Sequence, residues 1–180
     1  MNLVKELVYR LRGEVTTEKL IKQGMQVGKN FERLNNVLID DSHAWLISIG
    51  HNVTLAPRVH ILAHDASTKK FIGYTKIGRV SIGDNVFIGA GSVVLPGVSI
   101  GNNVVIGANS TVAKDIPDNV VAAGTPAVMV CPIEEYINKH EDAMKTMPVY
   151  GEEYTLRKGI SKNKKRQQYE EMKNCGGYVE

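Results

Sequence analysis

A repeat of six residues governs the middle of this chain. From Ile82 onward, residues 82–117 form six consecutive hexads that each begin with Ile or Val, and four of them continue with Gly. The fifth position of every hexad is Val, Ile or Ser. A period of six matches neither the 3.6-residue period of a helix nor the two-residue alternation of a strand. It predicts a coil with three short sides of six residues each, so that eighteen residues complete one turn.

The aliphatic residues that open the hexads are predicted to face the inside of this coil. One turn of eighteen residues stacks them in columns, namely Ile82 on Ile100, Ile88 on Ile106 and Val94 on Val112. The intervening Gly, Asn and Asp residues then fall at corners, where the backbone needs positive φ and little side-chain bulk fits. Only 6% of the residues are aromatic, which suits the narrow interior of a repeat structure.

The same register is recognisable earlier in the chain, with one interruption. Further hexads begin at Ile49, Leu55 and Ile61, and the pattern recovers at Ile77 after a polar stretch over residues 66–76. We therefore predict one all-β solenoid domain over residues 25–131, with residues 66–76 leaving it as a loop. Loops on a rigid scaffold often carry function, so this loop is the first place to look for a site.

Helical segments are predicted on both sides of the repeat domain. Residues 1–24 form an N-terminal helical segment: residues 2–12 place their apolar side chains on one helical face, and Thr16 is a suitable cap for a second short helix. Residues 132–180 form a C-terminal helix and basic tail. Pro132 and the acidic residues after it predict a helix that ends near Met147.

The composition narrows the function classes. The net charge of +3 is too small to argue for nucleic acid, and no apolar run approaches the roughly 20 residues of a membrane span. The charged N-terminus does not resemble a signal peptide. Cys131 and Cys175 lie far apart in sequence and predict free thiols in a reducing cytosol, so we expect a cytoplasmic protein. The basic run over residues 162–166 predicts a solvated helix or tail, or a source of charge for a phosphate ligand.

The hexads, the segment Val59-His60-Ile61-Leu62-Ala63-His64-Asp65 and the segment Ala123-Gly124-Thr125-Pro126-Ala127 resemble the hexapeptide-repeat acyltransferases. The resemblance is to the sugar and polysaccharide O-acetyltransferases of the maltose and galactoside acetyltransferase type. It implies a left-handed parallel β-helix, a homotrimer, and acetyl-CoA as co-substrate with no metal. The handedness follows from the resemblance alone, because the usual rule for parallel strands is a right-handed connection.

In such enzymes the histidine that matches His64 is the catalytic base. Imidazole is a competent base near neutral pH, and here it would take a proton from an acceptor that attacks the thioester directly. Asp65 is too close in sequence to orient the ring well, which leaves Asp40 or Asp41 as candidates. His51 occupies a corner position of its hexad, and His60 is expected to point outward with no route to the reacting centre.

The resemblance also assigns residues to the two substrates. Coenzyme A would lie in the groove between two subunits of the trimer, along Gly89, Ala90, Ala108, Ala113 and Lys114. Small side chains let a pantetheine arm lie flat, and the lysine offers a point charge to a phosphate. Backbone N–H groups near Gly89 and Ala90 are candidate donors to the oxyanion.

By the same resemblance, the acceptor would contact Asn35 and Asp41. Three functions remain open. The first is an O-acetyltransferase acting on a sugar or polysaccharide precursor. The alternatives are an N-acetyltransferase acting on an amino (nucleotide) sugar and a non-catalytic trimeric scaffold. A zinc lyase of the same fold needs three histidine ligands. No histidine occurs in residues 65–139, which argues against it.

Overall fold

The computed structural model describes residues 14–180, so the helix predicted over residues 2–12 lies outside the described residues. The chain divides into two compact units, one that ends at Ile133 and one that spans Glu134–Glu180. No helix among residues 14–180 combines the length and the hydropathy of a membrane span.

Three mainly parallel sheets build the first unit. Sheet 1 contains β1 (Gln26–Val27), β4 (Ile47–Ile49), β9 (Val80–Ile82) and β12 (Ser99–Ile100). Sheet 2 contains β2 (Glu32–Arg33), β5 (Thr54–Leu55), β10 (Val86–Ile88), β13 (Val104–Ile106), β15 (Val120–Gly124) and β16 (Ala127–Pro132). Sheet 3 contains β3 (Leu38–Ile39), β6 (His60–Ile61), β11 (Val93–Val94) and β14 (Thr111–Val112). From β1 to β6, and again from β9 to β14, the chain visits the three sheets in rotation.

The strand register is the one that the hexads predict. The paired residues are Ile82 with Ile100, Ile88 with Ile106 and Val94 with Val112. None of these six side chains is more than 3% exposed. Their burial forms the apolar core, which is the main favourable term in folding. The predicted inward columns and the eighteen-residue turn are confirmed.

One corner of the coil is held by a ladder of asparagines. Each has φ between 54° and 61°, and the side-chain amide of each of the first four donates to the next side chain at 2.8–3.0 Å; the ladder is Asn30, Asn52, Asn85, Asn103 and Asn119. Asparagine tolerates this left-handed backbone better than most residues. The predicted corner role of His51 also holds, because its Nδ1 accepts the N–H of Lys29 at 2.9 Å.

Two segments leave the parallel coil. The loop predicted over residues 66–76 is closed by an antiparallel pair, β7 (His64–Asp65) with β8 (Lys76–Ile77), and carries the short helix α2 (Lys69–Ile72). At the end of the domain β15 and β16 pair antiparallel, whereas parallel coils were expected up to residue 131. The chain reverses after Gly124, whose φ is 102°, so β16 becomes the edge strand of sheet 2.

Helices occur close to where the sequence predicts them. Helix α1 (Thr17–Lys22) begins as predicted, because the Thr16 hydroxyl accepts the N–H of Lys19 at 3.2 Å. The remaining elements are α3 (Ile133–Met144), β17 (Val149–Tyr150), α4 (Lys162–Glu171) and β18 (Tyr178–Val179). Three short 3-10 turns cover Ala44–Leu46, Glu152–Tyr154 and Leu156–Lys158. Helix α3 ends three residues before the predicted Met147, and the basic run lies on α4.

Candidate active site

Two side chains from neighbouring turns of the coil meet at the base of the loop. Asp40 directly follows β3, and His64 opens β7. Strands β3 and β6 pair with Ile39 opposite Ile61, which brings the end of β3 beside the residues that lead to His64. The Oδ2 atom of Asp40 lies 2.5 Å from Nδ1 of His64. Of the two aspartates that the sequence offered, Asp40 is the one that contacts the histidine.

The Asp40 carboxylate is buried and fully hydrogen-bonded. Its Oδ2 also accepts the N–H of Ala63 at 3.0 Å, and its Oδ1 accepts the N–H groups of Ser42 at 3.0 Å and His43 at 3.3 Å. Burial by itself raises the pKa of this carboxyl, but the contact with His64 and the backbone donors outweigh burial and lower the pKa below its ordinary value. Asp40 is therefore ionised at neutral pH and accepts hydrogen bonds only.

This ionised partner fixes the tautomer of His64. A carboxylate can only accept, so the proton of the neutral imidazole lies on Nδ1 and the lone pair lies on Nε2. The side chain of His64 is 36% exposed, whereas that of Asp40 is 1% exposed. The pair thus presents a basic nitrogen on a partly exposed ring that a buried charge holds in place.

His64 stands in the wall of a pocket of about 390 Å³. The polar lining residues are Glu14, Arg33, Asn36, Asp40, Asp41, His60 and His64, and the apolar ones are Val15, Val37, Leu38, Ile39 and Leu62. The structure therefore brings the predicted acceptor residue Asp41 to the same pocket as the predicted base. A pocket of this size with several polar groups is suited to a small polar molecule.

Asn35 is not part of this pocket. It is exposed at a corner of the coil, and its carbonyl accepts the N–H of Arg58 at 3.1 Å. The adjacent Asn36 lines the pocket instead, and its N–H donates to Glu14 at 3.2 Å. Neighbouring residues at a turn point in different directions, so sequence position alone does not distinguish these two.

The prediction that His60 has no route to the site is wrong. His60 does point away from the core, but it pairs with Leu38 in sheet 3 and both side chains line the pocket. The outward face of sheet 3 is one wall of the pocket. A residue that points outward there faces the same space as His64.

A buried ion pair that the sequence did not predict borders the pocket. Arg33 donates to the carbonyls of Val15 at 2.6 Å and Val37 at 2.5 Å, and it lies 3.4 Å from a carboxylate oxygen of Glu14. The side chains of Arg33 and Glu14 are 3% and 8% exposed. The two residues are nineteen positions apart, with Glu14 before helix α1 and Arg33 in β2 of the first coil. The only signal in the sequence was a charged residue inside a predicted strand.

The predicted coenzyme residues fall into two groups. Gly89 and Ala90 stack on Ala108 at the corner between sheets 2 and 3, where a Cβ on Gly89 would lie 2.5 Å from the Ala108 nitrogen. Ala113 and Lys114 are exposed at another corner, directly after β14 of sheet 3. That second corner is equivalent to the one from which the loop with His64 leaves the coil.

Gly89 is not a free donor for an oxyanion. Its N–H donates to the carbonyl of Ile106 at 2.8 Å, and the N–H of Gly91 donates to Pro57 at 2.9 Å. The expectation that the Gly89 N–H stabilises the oxyanion is therefore wrong. Within residues 14–180 the structure gives Ala90 N–H no protein acceptor, and it remains the candidate of that pair.

Two buried serines reinforce the Gly89–Ala108 corner. Ser92 and Ser110 are at most 1% exposed, and both hydroxyls donate to the carbonyl of Gly107, at 2.9 and 2.7 Å. The Ser110 hydroxyl also accepts the N–H of Gly124 at 3.0 Å. A rigid, small-residue corner of this kind presents backbone to a ligand with little side-chain obstruction.

Comparison with known proteins identifies the family. The family model for bacterial transferase hexapeptide (six repeats) matches residues 79–114. Protein CapG of Staphylococcus aureus is 41% identical over 145 residues, which cover 76% of this chain and 83% of CapG. Among solved structures, a galactoside acetyltransferase in complex with coenzyme A is 38% identical with a TM-score of 0.57, over 64% of this chain and 58% of that one.

A second solved structure matches over more of its own length. A maltose O-acetyltransferase from Clostridium difficile 630 is 34% identical with a TM-score of 0.52, over 73% of this chain and 88% of that one. The present chain spans less than two thirds of the galactoside acetyltransferase but most of the maltose O-acetyltransferase and of CapG. Together with the hexads and their stacking, these similarities show that the chain belongs to the hexapeptide-repeat acyltransferase family.

Proposed function

We propose that this protein is an acetyl-CoA-dependent O-acetyltransferase that acts on a sugar or polysaccharide precursor. The observation that carries the proposal is the hydrogen bond between buried, ionised Asp40 and partly exposed His64 in the wall of a polar pocket. The similarity to a maltose O-acetyltransferase and to a galactoside acetyltransferase with coenzyme A supports it.

The chemistry that this geometry favours is direct transfer. His64 takes the proton of an acceptor hydroxyl on Nε2, and the acceptor oxygen attacks the acetyl carbonyl carbon. The carbon–sulfur bond of the thioester then breaks, and the proton passes from the imidazolium to the leaving thiolate. Asp40 stabilises the imidazolium while it exists. Because both substrates are bound together, no serine or cysteine nucleophile is required.

Each substrate has a proposed place on the chain. The acceptor occupies the pocket beside His64, where Asp41 offers a carboxylate to its hydroxyl groups. The pantetheine arm of acetyl-CoA lies along the corner of Gly89, Ala90 and Ala108, and Lys114 near Ala113 meets a phosphate. The exposure of Ala108 and Lys114 is consistent with these roles. No metal is part of the proposed reaction.

The same proposal includes the finer architecture. The three sheets form a left-handed parallel β-helix, and three chains associate as a homotrimer. A three-fold arrangement lets the Gly89–Ala108 corner of one subunit face the Ala113–Lys114 corner of its neighbour, with the coenzyme between them. The cytoplasmic location predicted from Cys131 and Cys175 stays a prediction.

Release of free thiol from acetyl-CoA tests this function directly. The purified chain is mixed with acetyl-CoA and, in parallel, with a galactoside, a maltoside or glucosamine, and the acetylated product is analysed by mass spectrometry. The proposal predicts acceptor-dependent thiol release and an acetyl ester. If glucosamine is the only acceptor that reacts and the product is an amide, the N-acetyltransferase is favoured. If no acceptor gives thiol release, the scaffold is favoured.

A further inference from the structure

A third side chain, His43, lies beside the Asp40–His64 pair. One ligand atom from each of Asp40, His43 and His64 can be chosen so that all three atoms lie within 4.8 Å of one another. His43 is three residues after Asp40, and His64 comes from the next turn of the coil. The group thus combines two imidazoles and one carboxylate from two separate segments.

The ring of His43 has an unused nitrogen. Among the described residues Nδ1 of His43 is buried and has no hydrogen-bond partner. A buried polar atom without a partner costs free energy, so such atoms are uncommon in native structures. The backbone N–H of His43 donates to Asp40 at 3.3 Å. The ring centroid of His43 lies 5.3 Å from the ring centroids of both Trp45 and His64. The backbone contact and the ring packing therefore hold the His43 ring beside Asp40 and His64.

Two imidazole nitrogens and a carboxylate oxygen form a donor set that suits a zinc-like divalent ion. Zinc accepts three protein ligands and leaves the fourth tetrahedral position to water. Its ligand atoms lie about 3.3 Å apart when each bond is roughly 2.0–2.1 Å. Asp40 and His64 are already 2.5 Å apart, so a small separation of this pair and a rotation of His43 complete the site.

We propose that a divalent transition-metal ion of the Zn²⁺ type binds Asp40, His43 and His64 and inhibits the enzyme. The ion replaces the hydrogen bond between Asp40 and Nδ1 of His64. The proton of the neutral ring is then exchanged through solvent from Nδ1 to Nε2, which leaves no lone pair on Nε2 to act as the base. Binding of the metal does not depend on the proposed function, whereas the inhibition rests on it. His43 is the residue that distinguishes this site from the catalytic pair.

Titration calorimetry of the metal-free chain with Zn²⁺, without acetyl-CoA or acceptor, tests the binding. His43→Phe keeps a ring against Trp45 and removes both nitrogens, so the affinity should fall by at least about tenfold, the range typical of a perturbed metal site. His60→Phe removes another histidine of the same pocket and should leave the affinity unchanged. The free thiols of Cys131 and Cys175 are present in all three proteins, so any Zn²⁺ that they bind contributes equally to each measurement.

Thiol-release assays with Zn²⁺ then test the inhibition. Each protein is compared with its own rate without metal, and His43→Phe should need at least about tenfold more Zn²⁺ than the wild type for half inhibition. His43→Gln serves as a second variant if circular dichroism shows that His43→Phe is misfolded. A Zn²⁺ affinity of the folded His43 variant equal to that of the wild type would overturn the site. Zn²⁺ binding that depends on His43 but does not inhibit the enzyme would overturn the regulatory role. If none of the acceptors gives thiol release but Zn²⁺ binding still depends on His43, the proposed function is contradicted and the metal site stands.

Discussion

Asp40 accepts hydrogen bonds from His64 and from the backbone N–H groups of Ser42, His43 and Ala63. Three of these four donors are backbone groups, so the carboxylate is held in one orientation whether or not a substrate is bound. In the proposed mechanism this pre-organisation would lower the cost of reaching the transition state, because the charge would be in place before the imidazolium forms.

Replacing Asp40 with Asn should lower kcat by about 10²–10⁴-fold, since the amide can stabilise the wrong tautomer of His64 and carries no charge for the imidazolium. The KM for acetyl-CoA should change little, because the proposed coenzyme corner lies elsewhere. Steady-state kinetics at saturating acceptor measure both quantities. Asp41→Asn is the matched control and should raise the acceptor KM more than it lowers kcat. A fall in kcat below tenfold for Asp40→Asn would contradict the orienting role.

Stability should depend on pH through the same carboxyl. The pKa of Asp40 is lowered from its ordinary value of 3.8, so the folded state binds a proton on Asp40 less readily than the unfolded state does. Its contribution to stability is therefore fully present above pH 3.8 and is lost as the pH falls through the lower folded-state pKa. Urea unfolding from neutral pH into this acidic window should show a smaller decrease in the free energy of unfolding for Asp40→Asn than for the wild type. The same pH dependence of the free energy of unfolding in the two proteins would contradict the assignment of this effect to Asp40.

The sequence predicted some of the residues at the candidate active site and not others. His64 and Asp41 were predictable because the motif around His64 and the paired aspartates are local in sequence. The choice of Asp40 over Asp41 depends on how β3 stacks on β6, and no single-sequence pattern contains that contact. The unused nitrogen of His43 depends on the packing of a 3-10 turn, for which the chain offers no repeat.

At the level of elements, the hexads predicted the register because every turn repeats the same environment. An aliphatic residue that opens a hexad meets the equivalent residue eighteen positions later, as Ile88 meets Ile106. Where the repeat stops, prediction fails: residues after Gly124 carry no hexad, and the reversal that forms β16 depends on the backbone at that glycine. The loop between β7 and β8 was predictable as an interruption, but its short helix was not.

The corner of Gly89, Ala90 and Ala108 provides a prediction about the coenzyme. Ala108→Trp places a large side chain on this corner and should raise the KM for acetyl-CoA by about tenfold or more, which corresponds to roughly 1.4 kcal/mol of lost binding. The kcat at saturating acetyl-CoA should fall much less, because His64 and Asp40 are unchanged. Ala108→Ser is the matched control with a small side chain. An unchanged KM in Ala108→Trp would place the coenzyme elsewhere.

At the scale of the whole molecule, sheet 2 exposes several large apolar side chains. These are Phe87 at 43%, Val128 at 61%, Met129 at 54% and Val130 at 63% exposure. The last three lie together on the edge strand β16, and exposed apolar patches commonly mark a contact with another chain. The outward face and edge of sheet 2 are therefore consistent with the proposed homotrimer.

Light scattering at micromolar concentration should give three times the mass of one chain. Val130→Lys, which adds a charge to the exposed apolar edge, should shift the protein toward smaller species, and the concentration dependence of the scattering measures this shift. Lys29→Ala removes an exposed charge beside the asparagine ladder, at the corner that takes no part in the proposed coenzyme groove, and should leave the mass unchanged. A monomer mass for the wild type would contradict both the trimer and a coenzyme groove shared between subunits.

The most direct test of the central claim is the turnover number of His64→Ala with an acceptor that the wild type acetylates. The account predicts a decrease of about 10²–10⁴-fold, the usual contribution of a positioned general base, with no change in the oligomeric mass or the KM for acetyl-CoA. His51→Asn removes a corner histidine at a position equivalent to Asn102 and should retain the wild-type rate. A His64→Ala variant with full activity would contradict the assignment of His64 as the base and, with it, the proposed mechanism.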